Sequence, residues 1–345
     1  MPRALIALTG AAAAVITLFG MREVSSILGP LFLSFVLVIA VSPVRSALAR
    51  RGSPRWIQVA LPFLIVVFVL LGMVAIISLS VTQLAATLPA YADQFRRLLA
   101  DAQRLIGELG VSTAQLNEVM QSFDPSRVVG IAQSLLTGLL GVLSSLFLMV
   151  ILLLAMSLDA PVIARIIAAG VHNRPHLVAA LATFAAKTRR YLLVSTGFGL
   201  ICSILDVAAL YLLSVPLPLL WGVLALITNY IPNIGFIMGL IPPAVLALLD
   251  GGPQKMLLVI AAYVAINVVI QSFIQPKFLG DAVGLSTTMT LVSLIVWAFV
   301  LGPLGALLAI PLSLLTRALL IDSDPSATWA AALISGDERI VGGRA

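Results

Sequence analysis

The sequence predicts an all-α integral membrane protein with about eight hydrophobic segments, two of them long and broken, plus an extracytoplasmic amphipathic helical stretch. Two observations carry that expectation. Hydrophobic residues make up 61% of the chain and charged residues 10%, against roughly 25% charged in a soluble domain, and the mean hydropathy is +1.15. The apolar residues also come in runs of about 20, the length at which a helix crosses the hydrocarbon of a bilayer. Composition alone excludes a soluble enzyme.

The apolar segments fall at 4–20, 27–43, 56–80, 134–157, 191–214, 219–249, 255–272 and 286–315. The first follows Arg3 and is rich in alanine, which also fits a secretory signal. A second apolar run follows at once without a clean small-residue cleavage site, so a first span is the reading adopted. The sixth and eighth segments, at about 30 residues, are too long for one straight crossing. Each carries a break, Ile231-Pro232-Asn233 in one and Gly302-Pro303 in the other. Each is either a long kinked span or a re-entrant pair of half-helices.

Two polar stretches divide the chain. The first, 81–133, mixes Arg96, Arg97, Arg104 and Arg127 with Asp93, Asp101, Glu108, Glu118 and Asp124, and spaces its apolar residues as a helix does. The second, 158–190, sets Arg165, Arg174, Lys187, Arg189 and Arg190 against Asp159 alone. Cytoplasmic loops carry the excess of Lys and Arg, so the bases of 158–190, with Arg45, Arg50, Arg51 and Arg55, predict cytoplasmic N- and C-termini. The expected organisation is three N-terminal transmembrane helices over 1–80, an extracytoplasmic amphipathic region over 81–133 and a fourth helix at 134–157. A basic cytoplasmic loop at 158–190, a broken-helix core at 191–317 and a disordered cytoplasmic tail at 318–345 complete it.

Within 191–316 there are only five charged side chains, yet Pro, Gly and Asn interrupt the apolar run. Non-helical backbone survives at membrane depth only when it is buried in protein or lines a cavity, and transporters build substrate sites from such breaks. Pro232 removes a backbone donor and disfavours a preceding helical turn, so a break near Tyr230 is expected. Asn229 and Asn233 supply amides that donate and accept, suited to an uncharged polyhydroxylated solute. Gly235 and Gly239 permit close approach of a helix or a solute. Gln271, Gln275, Ser286 and Thr287 extend this candidate path. The plainer alternative is a proline kink whose asparagines bond to neighbouring helices.

Asp206 sits within an apolar span, where an ionisable group costs roughly 3 kcal/mol and is a functional candidate by default. It is the ion-coupling candidate, with Asp281 as a second. The competing reading is a hydrogen-bonded or protonated Asp at a helix contact. Enzymatic readings fail on inventory. His172 and His176 are four residues apart, but Pro175 intervenes and no third ligand is near, so no metal site is expected. No nucleophile-elbow serine motif or phosphate-binding loop is present, so neither catalysis nor ATP hydrolysis is expected, and no cofactor. The arginines are scattered without aromatic interleaving, which speaks against nucleic acid. The lone Cys202 can form no intrachain disulfide.

Three motifs make the reading specific. Asn229-Tyr230-Ile231-Pro232-Asn233-Ile234-Gly235 with Gly239 and Pro242-Pro243, then Gln275-Pro276-Lys277-Phe278-Leu279-Gly280 with Gly284-Leu285-Ser286, and the run from Trp297 through Gly302-Pro303 to Leu312 resemble the autoinducer-2 exporter (AI-2E) family of permeases. The resemblance implies a multi-pass protein of the bacterial cytoplasmic (inner) membrane that exports a small polar solute, autoinducer-2 in the type example. It also implies a homo-oligomer, a pentamer by analogy, with a mobile part moving against a scaffold. Other members resemble sodium/proton antiporters, the alternative function here, in which Asp206 would carry the ion. A non-transporting membrane scaffold is the third reading. Thr287-Thr288, where the family often has Pro, and Phe236, where a small residue is common, depart from the pattern.

Overall fold

A computed structural model of the protein describes residues 3–87, 125–232, 234–275 and 284–335, with isolated positions 91, 94, 96, 97, 100, 101 and 104. The described residues are helical, with no strand among them. In chain order the helices are α1 (Arg3–Glu23), α2 (Ser25–Arg50), α3 (Arg55–Thr87), α4 (Pro125–Ala169), α5 (Pro175–Leu212), α6 (Pro218–Thr228) and α7 (Gly235–Asn267). A π-helical turn, Val268–Ile274, extends α7; then come α8 (Thr287–Leu301), α9 (Pro303–Leu307), α10 (Ala309–Arg317), a second π turn at Ala318–Asp322 and α11 (Thr328–Ser335). Five stretches are long and apolar enough to cross a bilayer: α2, α3, residues Gly141–Ala169 of α4, α5, and Gly235–Gln271. The first predicted span, now α1, is not among them. Large apolar side chains such as Phe68, Phe147, Ile204 and Ile295 lie on the outside, as expected where the solvent is lipid.

The structure redraws two sequence expectations. The basic stretch 158–190 is not a loop: α4 runs to Ala169 and α5 starts at Pro175, leaving a five-residue connection. The segment 255–272 forms the second arm of α7, which is broken at Gly251 and at Gly252, whose φ is +76°, where the sequence divides it from 219–249. The tail is helical through Ser335, and the backbone N–H of Ser286 donates to the Ile334 carbonyl at 2.9 Å. Most of the predicted amphipathic stretch lies outside the described residues.

The core follows from where backbone reverses. Helix α6 lies antiparallel to α5: Ser203 Oγ donates to the Gly222 carbonyl at 2.7 Å, and Asn229 Nδ2 to the Ser195 carbonyl at 2.9 Å. At the break after α6 the chain turns back, and a Cβ built on Gly235 would lie 1.8 Å from the Thr228 carbonyl oxygen. Glycine alone allows that approach. The first arm of α7 then runs back along α6, with Gly239 against Ala225. After Gly252 the second arm folds back again, so Val259 and Tyr263 share a core with Ala244, Ala247, Leu220 and Trp221.

The last segment repeats the device. Trp297 Nε1 donates to Ser313 Oγ at 3.0 Å, which sets α8 antiparallel to α10. A Cβ on Gly305 would meet the Trp297 carbonyl oxygen at 1.8 Å. Helix α6 has 11 residues and α8 has 15; at about 1.5 Å per residue, each is shorter than a hydrocarbon core of about 30 Å. The long segments six and eight are therefore helical hairpins rather than kinked spans. Their tips meet: Ile231 of the first hairpin shares a buried cluster with Leu294 and Ala309 of the second, with Trp297 and Ala306 packed against it.

Each hairpin is tied at its base. Lys255 Nζ donates to Asp250 Oδ2 at 2.5 Å and to the Ser214 carbonyl at 2.8 Å, closing the turn at 251–252. Tyr91 O–H donates to Asp250 Oδ1 at 3.3 Å, and burial with the Asp250 charge pushes its pKa up, so it stays a donor. At the base of the second hairpin, Arg317 Nη1 donates to the Gly284 carbonyl at 2.5 Å and Nε to Asp322 Oδ1 at 3.1 Å. Lys255→Ala should cost about 1 kcal/mol, the size of a partly exposed ion pair with one further hydrogen bond. The melting temperature of the purified protein checks this, and Lys255→Arg, which keeps a donor, should lose less.

Candidate transport site

Tyr263, Asn267 and Gln271 are four residues apart on the second arm of α7 and its π turn, so they stack on one face. The amide of Asn267 donates through Nδ2 to the Tyr263 carbonyl at 2.9 Å. Gln271 Nε2 donates to Asn267 Oδ1 at 2.7 Å and to Asn229 Oδ1 at 3.1 Å. Asn229, at the end of α6, passes the line on to the Ser195 carbonyl. A polar ladder thus runs from Tyr263 to the tip of the first hairpin and across to α5. Gln271 lies in the π turn, a distortion that recurs at functional sites.

The ladder lines a small cavity together with Cys202, Asp206, Thr228, Phe236 and Gly239. Its volume is about 10 Å³, room for roughly one water molecule. Asp206 is 1% exposed and Tyr263 1%. Asp206 Oδ1 and the Tyr263 hydroxyl are buried there with no hydrogen-bond partner among the described residues. Beside the break, Tyr191 O–H donates to the Tyr230 carbonyl at 2.7 Å, and the Tyr230 hydroxyl pairs with Thr196 Oγ1 at 2.5 Å. The first of these bonds satisfies backbone freed by the break, the requirement that hydrocarbon imposes.

Of the residues singled out from sequence, Asn229, Gly239, Gln271 and Asp206 come together around one cavity. Tyr230 and Pro232 form the adjacent hairpin tip, and Gly235 seats its return. Gln275 follows the π turn. Ser286 instead caps α8, accepting from the Met289 N–H at 3.3 Å, and Thr287 begins that helix at the base of the second hairpin. Asn233 and Asp281 lie outside the described residues. Sequence reasoning missed Tyr263, Asn267, Ser195, Thr196 and Tyr191. For the first two a signal existed: Tyr263-x3-Asn267-x3-Gln271 is a polar stripe at helical spacing in an apolar run.

A second, larger cavity of about 580 Å³ lies between α1, α8 and α10. Its walls are apolar, with Thr17, Ser293, Ser313 and Thr316 as hydroxyls and Arg317 at one end. Among the described residues no group of three or more His, Cys, Asp or Glu side chains could hold a metal ion.

The family model described as AI-2E family transporter matches residues 11–322. The chain belongs to the AI-2E transporter family. Among the relatives of this family member, the AI-2 transport protein TqsA of Escherichia coli K12 is 30% identical over 303 residues, 88% of each chain. A Haemophilus influenzae protein described as a transport protein, with no solute named, is 30% identical over 331 residues, 94% of this chain and 95% of that one. The E. coli K12 protein YhhT, described as a transport protein with no solute named, is 27% identical over 302 residues, 88% and 86% of the two chains. With its five long apolar helices, this AI-2E family member is a multi-pass membrane transporter in contact with lipid, not an enzyme.

Proposed function

We propose that this transporter exports a small, uncharged polar solute, autoinducer-2 or a related metabolite, across the bacterial cytoplasmic membrane without hydrolysing ATP. The observation that carries the reading is the amide ladder Asn267–Gln271–Asn229, which ends on a helix break and lines a cavity. Amides that donate and accept match hydroxyl and carbonyl groups without demanding charge. The relative named as an AI-2 transport protein supports the choice of solute. Small-molecule pockets measure roughly 300–1,000 Å³, so a cavity of about 10 Å³ corresponds to a closed state. Opening requires the two tips around Ile231 to part.

In this reading both termini are cytoplasmic. The bases at the α4–α5 junction then face the cytoplasm, the first hairpin enters from outside and the second from inside. Tyr91 of the external stretch and the turn at 251–252 fall on one side, in keeping with the Tyr91–Asp250 hydrogen bond. Assembly as a homo-oligomer, a pentamer by family analogy, belongs to the same proposal.

The test is efflux from a bacterial strain lacking its own exporter, reading external autoinducer-2 with and without this chain. Asn229→Ala leaves Gln271 without one acceptor and Ser195 without its donor, a loss of about 1–3 kcal/mol. Accumulation should slow at least fivefold, with protein level in the membrane unchanged. Equal accumulation in vector, wild type and mutant would count against the proposal.

A further inference from the structure

The polar ladder has an end that uncharged-solute recognition does not use. Asp206 and Tyr263 each present a buried oxygen without a partner among the described residues, and both line the same one-water cavity. The other polar side chains there are engaged: Asn267 Oδ1 and Asn229 Oδ1 accept from Gln271, and Thr228 Oγ1 bonds the Ala225 carbonyl at 3.3 Å. We propose that Asp206 and Tyr263, bridged through this cavity, form a proton-binding site that couples solute export to proton entry. The proposal rests on the export reading for what is coupled, though not for the site itself.

The surroundings select a proton over a metal cation. The groups that face Asp206 are Cys202 one turn earlier on α5 and Tyr263 from the second arm of α7; α6 and the first arm contribute Ala225, Thr228, Asn229, Phe236 and Gly239, none titratable. Among the described residues no Lys, Arg or His side chain lines the cavity to hold a carboxylate charged. A hard cation such as calcium takes about six oxygen ligands or more, whereas the space here is that of one water. A bare carboxylate at membrane depth costs roughly 3 kcal/mol or more, and protonation removes that charge. Uptake forms an O–H bond on Asp206, drawing the proton from water; release returns it to water and leaves a carboxylate that the Tyr263 O–H can meet.

The placement also gives direction. Asp206 lies six residues before the end of α5, toward the turn at 251–252, while Asn229 and Gln271 lie at the tip. In the proposed orientation the first is the external end and the second faces the way in. Tyr263, Asn267 and Gln271 connect them along one helix face. An external proton neutralises Asp206, is released inward when the tips part, and the solute moves the opposite way.

Infrared difference spectra of the reconstituted protein test the site directly. Raising the pH should remove a carboxylic-acid carbonyl band that is absent from Asp206→Asn and shifted in Tyr263→Phe, and adding sodium at fixed pH should leave it in place. Absence of that band at every pH where the protein stays folded overturns the proposal, as does its displacement by sodium. In vesicles loaded with autoinducer-2, an acidic exterior should speed wild-type efflux about tenfold. Asp206→Asn should lose that acceleration, whatever its rate of autoinducer-2 exchange at equal pH. If the wild type exchanges no autoinducer-2, the export reading fails while the infrared result still decides the proton site; equal acceleration in mutant and wild type overturns the coupling.

Discussion

Gly235→Val should abolish transport and lower the melting temperature more than any other single substitution at the first hairpin. A Cβ at this position would sit 1.8 Å from the Thr228 carbonyl oxygen and 2.8 Å from its carbonyl carbon. The obstacle is backbone, which cannot rotate aside as a side chain can. Overpacking a filled site costs about 1–3 kcal/mol, and a backbone clash belongs at the upper end of that range. The return of the chain would be pushed off α6, separating Gly239 from Ala225 and Asn229 from Gln271. Gly235→Ala should do the same to a lesser degree. Gly197→Ala on α5, where a new Cβ meets nothing within 4 Å, should leave efflux and melting unchanged. Wild-type transport by Gly235→Val would show that the reversal after α6 is not required.

Locking the two hairpin tips together should stop transport reversibly. Ile231 shares a buried cluster with Leu294 and Ala309, against which Ala306 packs, where the tips meet, and the cavity behind has room for about one water. With Cys202→Ser to remove the native thiol, Ile231→Cys with Ala306→Cys should form a cross-link under oxidant or a short bifunctional thiol reagent. Efflux should fall to background and recover on reduction. Either single cysteine should transport normally under the same treatment. Full transport by the cross-linked protein would mean that the solute passes elsewhere, and the larger apolar cavity beside α1 would become the candidate.

Much of this architecture was legible because hydrocarbon leaves the backbone few options. Segment length and the Pro232 and Gly302 breaks marked both hairpins, and Asn229, Gln271 and Asp206 were singled out as polar groups in apolar runs. What the sequence left open was which alternative each break took, since a kink and a reversal look alike until Gly235 is seen against Thr228. The reversal at Gly251–Gly252 falls where the sequence divides segment 219–249 from 255–272. Tyr263 and Asn267 were overlooked for a related reason: their role depends on which face of α7 meets α5 and α6, a tertiary fact. Ser286 reads from sequence as part of a path, but a hydroxyl just before a helix can also cap it, and Ser286 caps α8. The stretch 158–190 read as a loop because its bases mark a membrane boundary, although helices continue past that boundary at Ala169 and Pro175.

The measurement closest to the central claim uses the purified chain alone in vesicles loaded with autoinducer-2, comparing release by wild type and Gln271→Leu. Gln271 joins Asn267 to Asn229 by two hydrogen bonds, and leucine keeps the bulk while removing both. The account predicts release by the wild type and at least tenfold slower release by the variant, a loss of about 1.4 kcal/mol or more, with both proteins equally folded. Release at the same rate from both, or no release from either, would contradict a solute path through the ladder.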